Sequence, residues 1–261
     1  MYRGSRKHVL DWTDRSSFLT ELGELLAPIP IAIPAGAAVM PRGHASPREA
    51  RLESFGPEWR PANSAWPALK NWWLVHHAGA NTPNWDIVVE CTVGDKAGLV
   101  LVEAKANWPE LGRVGKVRDL NASRKSKENH DRICSAVREA CANWQAVDGR
   151  VNIDAGSHYQ LANRLAFVWK LASLGIPVVL LYLGFTNDEG IRDAGEPFAD
   201  DSDWQRAFEQ YANGVFPIEL LNRRIEFTGT PVWILCKSRT VLQSSPPIPR
   251  PNVLVPAGPE I

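Results

Sequence analysis

Two apolar runs joined by a short turn are the clearest pattern of hydrophobic and polar positions in the chain. The first run extends from Ile87 to Val93 and the second from Gly98 to Val102. The residues between them, Gly94 to Gly98, have the Gly and Asp content of a hairpin connection. We therefore predict two adjacent antiparallel strands, with the carboxylate of Asp86 at the start of the first strand.

Helical spacing and other apolar runs predict the remaining elements. A first helix begins at a cap, Asp14 or Ser16, and runs to Leu26, and residues 28–34 are extended because prolines interrupt them. Residues 178–183 form a buried strand without polar alternation. Further helices are predicted over residues 46–55, 63–73, 126–145, 157–174 and 203–212, and further strands near 73–77 and over 224–227 and 232–236, the last two at a sheet edge.

The order of these elements predicts a layered α/β fold. The helix over residues 157–174 passes directly into the buried strand at 178, which is typical of helices packed on a sheet. A chain of 261 residues can bury one full core, so we expect a single elaborated domain. Its parts are an N-terminal helical and proline-rich elaboration (residues 1–62), a core (residues 63–243) and a proline-rich tail (residues 244–261).

Charged residues at the ends of the two hairpin strands predict a metal site. Side chains alternate across a strand, so Glu103 and Lys105 share one face, and the antiparallel pairing brings Asp86 close to Glu103. Mg²⁺ prefers oxygen ligands and is usually held by one or two carboxylates together with water and substrate phosphates. We expect Asp86 and Glu103 to bind Mg²⁺, with the carbonyl of Ala104 as a third ligand and Lys105 positioning a water molecule. Mn²⁺ is the expected substitute.

The same residues carry a resemblance to a known superfamily. Pro83-Asn84-Trp85-Asp86, followed by Leu101-Val102-Glu103-Ala104-Lys105, resembles the bipartite signature of the PD-(D/E)XK, or restriction-endonuclease-like, nucleases. The resemblance implies a core of helix, three-stranded meander, helix and strand, with a mixed central sheet flanked by helices. It covers about residues 83 to 105. This chain departs from the pattern at Asn84, because the usual Pro-Asp pair is here Pro-Asn-Trp-Asp.

The resemblance also implies two further kinds of site residue. Many members carry a polar residue, often Gln, early in the helix after the meander, and Gln160 matches that position. The alternative is that Gln160 only solvates the first helical turn. Many members also use an acidic residue from the first core helix, and the sequence does not choose among Glu49, Glu53 and Glu58.

Charge distribution bears on nucleic-acid binding. The chain has 29 basic and 29 acidic residues, so bulk charge does not favour a polyanion. A basic stretch nevertheless follows the proposed metal site between residues 113 and 138, and contacts of this kind supply sequence-independent affinity for phosphates. The alternative is a solvated surface without a ligand. The expected nucleic-acid contacts are Lys116, Arg124, Lys125, Lys127 and, in the helix after the meander, Arg164.

Other sequence features narrow the class of protein. The four cysteines have no Cys-x-x-Cys spacing, so neither a zinc site nor a disulfide framework is predicted. The apolar residues 27–41 are too short and too rich in proline to span a membrane, so we expect a cytoplasmic protein with no membrane partner. Trp85 and Trp108 flank the site, where an indole stacks on a base or walls the cleft.

These observations predict a Mg²⁺-dependent nuclease acting on nucleic acid, DNA in particular. A homodimer is one expected form, because cutting both strands of a duplex commonly needs two active sites. Two alternatives stay open. One is a binding module of the same fold without turnover, in which Glu103 and Lys105 form a structural ion pair. The other is a defence or toxin effector that a partner protein regulates.

Overall fold

A six-stranded mixed sheet forms the centre of the computed structural model, which describes residues 2–55 and 65–241. Its strands are β1 (Val39–Met40), β2 (Ile87–Val93), β3 (Lys96–Lys105), β4 (Val178–Thr186), β5 (Ile225–Phe227) and β6 (Thr230–Thr240), in the spatial order β1-β2-β3-β4-β6-β5. The helices are α1 (Gly4–Thr13), α2 (Phe18–Leu26), α3 (Ala65–Trp73), α4 (Arg124–Gln145), α5 (Tyr159–Ser173) and α6 (Asp201–Ala212). The predicted mixed α/β class is confirmed.

The β2–β3 hairpin forms as the sequence predicts. Val93 pairs with Lys96, so the turn itself is only Gly94-Asp95, and Gly94 has a φ of +57° that favours glycine. On its other side β3 pairs with β4 in parallel, with Glu103 opposite Tyr182. The strand that carries Glu103 and Lys105 therefore lies inside the sheet, with a neighbour on each side.

Helices cover both faces of the sheet. One face packs against α3, α4, α5 and α6, and its apolar residues include Val88, Leu99 and Leu101. The other face carries Ile87, Val100 and their neighbours, which pack against α1 and α2. None of the helices in the described part of the chain has the length and apolar content that crossing a bilayer requires.

The strand predicted near residues 73–77 does not form, and β1 lies much earlier in the chain. α3 ends at Trp73, and the backbone N–H groups of Val75 and His76 donate to Asn129 Oδ1 at 2.9 and 2.8 Å. Asn129 Nδ2 donates in return to the His76 carbonyl at 2.8 Å. A side chain of α4 thus satisfies the backbone groups that a neighbouring strand would otherwise pair.

One other element prediction is wrong. The helix predicted over 46–55 is only one 3-10 turn, Leu52–Ser54, because Ala50 pairs with Trp85 through two backbone hydrogen bonds of 2.8 and 3.0 Å. The two predicted late strands do lie at a sheet edge: β5 is outermost, and β6 pairs in parallel with β4 along nine residues. α1 was not predicted at all. The proposed cap of α3 at residues 63–64 and the proline-rich tail lie outside the described residues.

Candidate metal centre

A cavity of about 730 Å³ lies where the β2–β3 hairpin meets the first turns of α5. Val88 and Asp86 are two residues apart, as are Leu101 and Glu103, so both carboxylates continue apolar rows on the face that packs against α5. Lys105 extends the second row by one further step. The structure thus brings Asp86, Glu103, Ala104 and Lys105 to the wall of one cavity.

Asp86 is held against β3 by its backbone and by its side chain. Its N–H donates to the Val102 carbonyl at 3.2 Å, and its Oδ2 accepts from the N–H of Ala104 at 2.8 Å. Burial, together with the negative charge of Glu103, raises the pKa of Asp86 to about 7, although the Lys105 cation opposes the shift. The carboxyl group of Asp86 therefore changes its charge near neutral pH.

Glu103 is the anionic centre of a buried ion network. Lys105 Nζ lies 2.6 Å from its Oε1, and Nε and Nη2 of Arg164 lie 2.7 and 2.6 Å from its Oε2. Only 1% of Glu103 and 5% of Lys105 are exposed. Burial by itself would raise the pKa of Glu103, but the Arg164 and Lys105 cations outweigh it and hold the pKa below its usual value.

Arg164 belongs to this network and also lines the cavity, so its predicted contact with nucleic acid stays a prediction. Its side chain is buried, donates to the Asn84 carbonyl at 2.7 Å and to Asn163 Oδ1 at 2.9 Å, and lies 4.4 Å from the centre of the Trp85 ring. The reason is that residue 164 lies on the side of α5 that faces the sheet. Trp85 is fully buried beneath the guanidinium, so it does not offer a free face to a base.

The structure separates the three acidic candidates for a further ligand. Glu49 lines the cavity and accepts a hydrogen bond from Asn84 Nδ2 at 2.6 Å. Glu53 instead accepts from the hydroxyl of Thr82, and residue 58 lies outside the described residues. Glu49 precedes a 3-10 turn and is not on a core helix. Among these candidates, Glu49 is the one that the structure places at the cavity.

Sequence reasoning missed Glu110, which also lines the cavity. Its Oε2 accepts from the N–H of Ala106 at 2.8 Å, directly after the end of β3. A short 3-10 turn, Trp108–Glu110, brings it back to the strand, and Asn107 caps that turn by accepting from the Glu110 N–H at 3.1 Å. The Asn-x-x-Glu spacing is a capping signal, but nothing in it points to a site. Trp108 packs against Phe198.

The remaining predicted site residues lie in three places. Gln160, in the first turn of α5, lines the cavity beside Tyr159. Lys116, Lys125 and Lys127 line a neighbouring second cavity of about 490 Å³. Arg124 is exposed and pairs with Glu128 at 2.7 Å, one helical turn away.

The donor set at the first cavity fits Mg²⁺ in chemical type. Two carboxylates and the backbone of Ala104 supply oxygen atoms, and Mg²⁺ commonly completes its shell with water and phosphate oxygens. Among the described residues there is no cluster of three or more His, Cys, Asp or Glu side chains arranged to hold an ion. Lys105 and Arg164 offset the charges of Asp86 and Glu103, so the further negative charge that a divalent cation needs would come from Glu49 and Glu110 on the cavity wall or from a bound phosphate.

Comparisons with known proteins add no family to this description. No protein-family model, curated protein or solved structure matches the chain.

Proposed function

We propose that this protein is a Mg²⁺-dependent nuclease that hydrolyses phosphodiester bonds, with DNA as the substrate. The observation that carries the proposal is the meeting of Asp86, Glu103 and Lys105 at one cavity, at the end of a hairpin inside the sheet. The pairing of β2 with β3 fixes the backbone position from which each of these side chains extends. The resemblance of these residues to the PD-(D/E)XK signature supports the same chemistry.

Each residue has a separate part in this proposal. Asp86 and Glu103 hold the cation through carboxylate oxygens, and the hydrogen bond from the Ala104 N–H keeps the Asp86 carboxylate turned towards β3. Bound Mg²⁺ would lower the pKa of a coordinated water and offset charge on the phosphate. Lys105 orients the attacking water, and Gln160, on the cavity wall, contacts the substrate.

Charge balance implies that cation and substrate bind together. The ionised Asp86 and Glu103 carry two negative charges, which Lys105 and Arg164 offset with two positive charges. Adding a divalent cation alone leaves an excess of positive charge among these four groups, which is costly in a poorly solvated site and which Glu49 and Glu110 on the cavity wall offset only in part. The phosphate groups of a nucleic acid remove that excess. Mg²⁺ should therefore bind weakly to the free protein and more tightly with substrate.

Three conservative variants test the proposal: D86N, E103Q and K105M. Each is assayed for Mg²⁺-dependent cleavage of single-stranded and duplex DNA and RNA, with E219Q, an exposed acid far along the chain, as the matched control. Cleavage should fall to background in the three site variants and persist in the control. Circular dichroism and thermal melting establish that each variant is folded. Robust hydrolysis by folded D86N or E103Q would overturn the proposal.

A second function has a specific observation in its favour. Both oxygens of Glu103 already accept from cationic side chains, so the Arg164–Glu103–Lys105 network is complete as a structural ion network. A nucleic-acid-binding module without turnover would need nothing more from these residues. Salt-sensitive DNA binding without metal-dependent cleavage of any of the four substrates would favour this function over the nuclease.

A further inference from the structure

The loop of residues 112–123, between the 3-10 turn after β3 and the start of α4, exposes aliphatic side chains. Val114, Val117 and Leu120 are 76%, 85% and 77% exposed, the highest values among the large hydrophobic side chains that the structure describes. Covering apolar side chains this exposed with a binding partner is favourable, because it removes apolar surface from water. Three of them within seven residues indicate a binding surface.

Positive charge surrounds these side chains. Residues 113–127 contain six lysine and arginine residues and one acidic residue, Asp119. Arg118 and Arg124 are paired with carboxylates of α4. By contrast, in the described part of the chain no carboxylate lies within ion-pair distance of the lysines that line the second cavity. These are Lys116, Lys125 and Lys127.

The first part of the loop is fixed to the N-terminus of α5. The N–H of Lys116 donates to the Ala155 carbonyl at 2.6 Å, and the N–H of Tyr159 donates to the Val114 carbonyl at 3.2 Å. Gly115 lies so close to Gly156 that an added Cβ would come within 1.9 Å of its carbonyl oxygen. The loop therefore projects from a firm attachment beside Tyr159, which lines the first cavity.

The loop surface is continuous with the candidate metal centre. Asn81 lines both the first and the second cavity. Lys116, on the second cavity, places its Nζ 5.0 Å from the ring centre of Tyr159, on the first. The second cavity therefore adjoins the first, which Asp86 and Glu103 line.

We propose that loop 112–123 is a wedge that binds duplex DNA: Lys116, together with Lys125 and Lys127 at the start of α4, contacts phosphates, and Val117 and Leu120 enter the minor groove. This inference rests on the proposed function and assigns its substrate class. Proteins that bind the minor groove often insert aliphatic side chains between base steps, whereas single-strand binders stack bases on aromatic rings. Residues 112–123 contain no aromatic residue. The positive charge favours a nucleic acid over an apolar protein surface.

Binding without cleavage tests the wedge. Fluorescence anisotropy in EDTA compares a DNA duplex, its single strand and the RNA duplex of the same sequence, over a range of salt concentrations. The V117S/L120S variant should bind the DNA duplex about tenfold more weakly or worse, because it buries less apolar surface, with the salt slope unchanged. V147S/I218S, which changes aliphatic residues exposed elsewhere, is the control and should bind as wild type does.

The lysines give an independent measurement. Removing one phosphate contact lowers the slope of log K against log salt by about 0.9, so K116A/K125A/K127A should lower it by about 2.7. The wedge would be overturned if V117S/L120S bound duplex DNA as tightly as the wild-type protein does. It would also be overturned if the wild-type protein preferred single strands or duplex RNA. An unchanged salt slope in the lysine variant would overturn it as well. Duplex binding that needs the loop, without Mg²⁺-dependent cleavage, would support the wedge and refute the nuclease.

Discussion

Replacing Arg164 with methionine tests the buried ion network most sharply. Met keeps an unbranched apolar chain over Trp85 but removes every N–H of the guanidinium. The hydrogen bonds that disappear are one from Nε to Glu103 Oε2 at 2.7 Å, one to the Asn84 carbonyl and one to Asn163, and the ion-pair contact of Nη2 with Glu103 Oε2 at 2.6 Å disappears with them. Glu103, which is 1% exposed, then keeps Lys105 as its one cation.

The expected cost follows from that geometry. Removing one partner of a buried ion pair destabilises a protein by about 3–5 kcal/mol, because the other charge is left without compensation. Lys105 still lies 2.6 Å from Glu103, so the free energy of unfolding should fall by about 3 kcal/mol, the lower end of that range. In E103Q/R164M the carboxylate that R164M alone leaves without Arg164 is replaced by a neutral amide. The free energy of unfolding of the double variant should therefore fall by about 1–3 kcal/mol less than the sum of the losses in the two single variants.

Urea unfolding at pH 7 measures these changes, with R192M as the control because Arg192 forms only an exposed pair with Glu189. The pKa of Glu103 is lowered in the folded protein, so its contribution to stability is present above the unfolded pKa and is lost as the pH falls through the folded pKa. The difference between wild type and R164M should therefore shrink in acid. The network would be refuted if R164M lost less than about 1 kcal/mol of unfolding free energy at pH 7, or if the losses of R164M and E103Q simply added in the double variant.

Three further outcomes are expected. Because the pKa of Asp86 is raised from 3.8 to about 7, ionising this group costs folding stability as the pH rises. D86N should therefore have a higher melting temperature than wild type at pH 8, and the difference should shrink towards pH 4. Equal melting temperatures of the two proteins at both pH values would contradict this. With bound oligonucleotide, EDTA should lower the melting temperature at pH 8 more than at pH 6, because protons compete with the metal for the Asp86 carboxylate at the lower pH, and an equal effect would argue against Asp86 as a ligand. G184A should lower the free energy of unfolding in urea by about 1–3 kcal/mol, because the added Cβ would lie 2.4 Å from Trp204. G149A is the control and should not show this loss, because the space around Gly149 is open.

The hairpin and the α5–β4 unit were predictable because local rules decide them. Strand alternation and a Gly-Asp turn place Asp86 beside β3, and β4 has the unbroken apolar pattern of a strand that is buried on both faces. The sequence could not show that the strand predicted near residues 73–77 does not form. Asn129, which replaces its pairing partner, lies more than fifty residues further along the chain, and no local pattern records that contact.

The candidate site was predictable in part for the same reason. Asp86, Glu103 and Lys105 follow from the two-residue period of adjacent strands. Arg164 looked like a phosphate contact because polar residues surround it in the first turns of α5, and only the packing of that helix shows that it faces Glu103. Glu110 reaches the cavity through an irregular turn, for which the sequence has no periodic signal.

The central claim is that Asp86 and Glu103 together hold a divalent cation beside a phosphate. Crystals grown with a DNA oligonucleotide and Mn²⁺, measured for anomalous scattering, test it directly. We predict one anomalous peak at about 2.1 Å from a carboxylate oxygen of each residue, next to a phosphate in the same cavity. A phosphate bound in that cavity with no anomalous peak between the two carboxylates would contradict the claim.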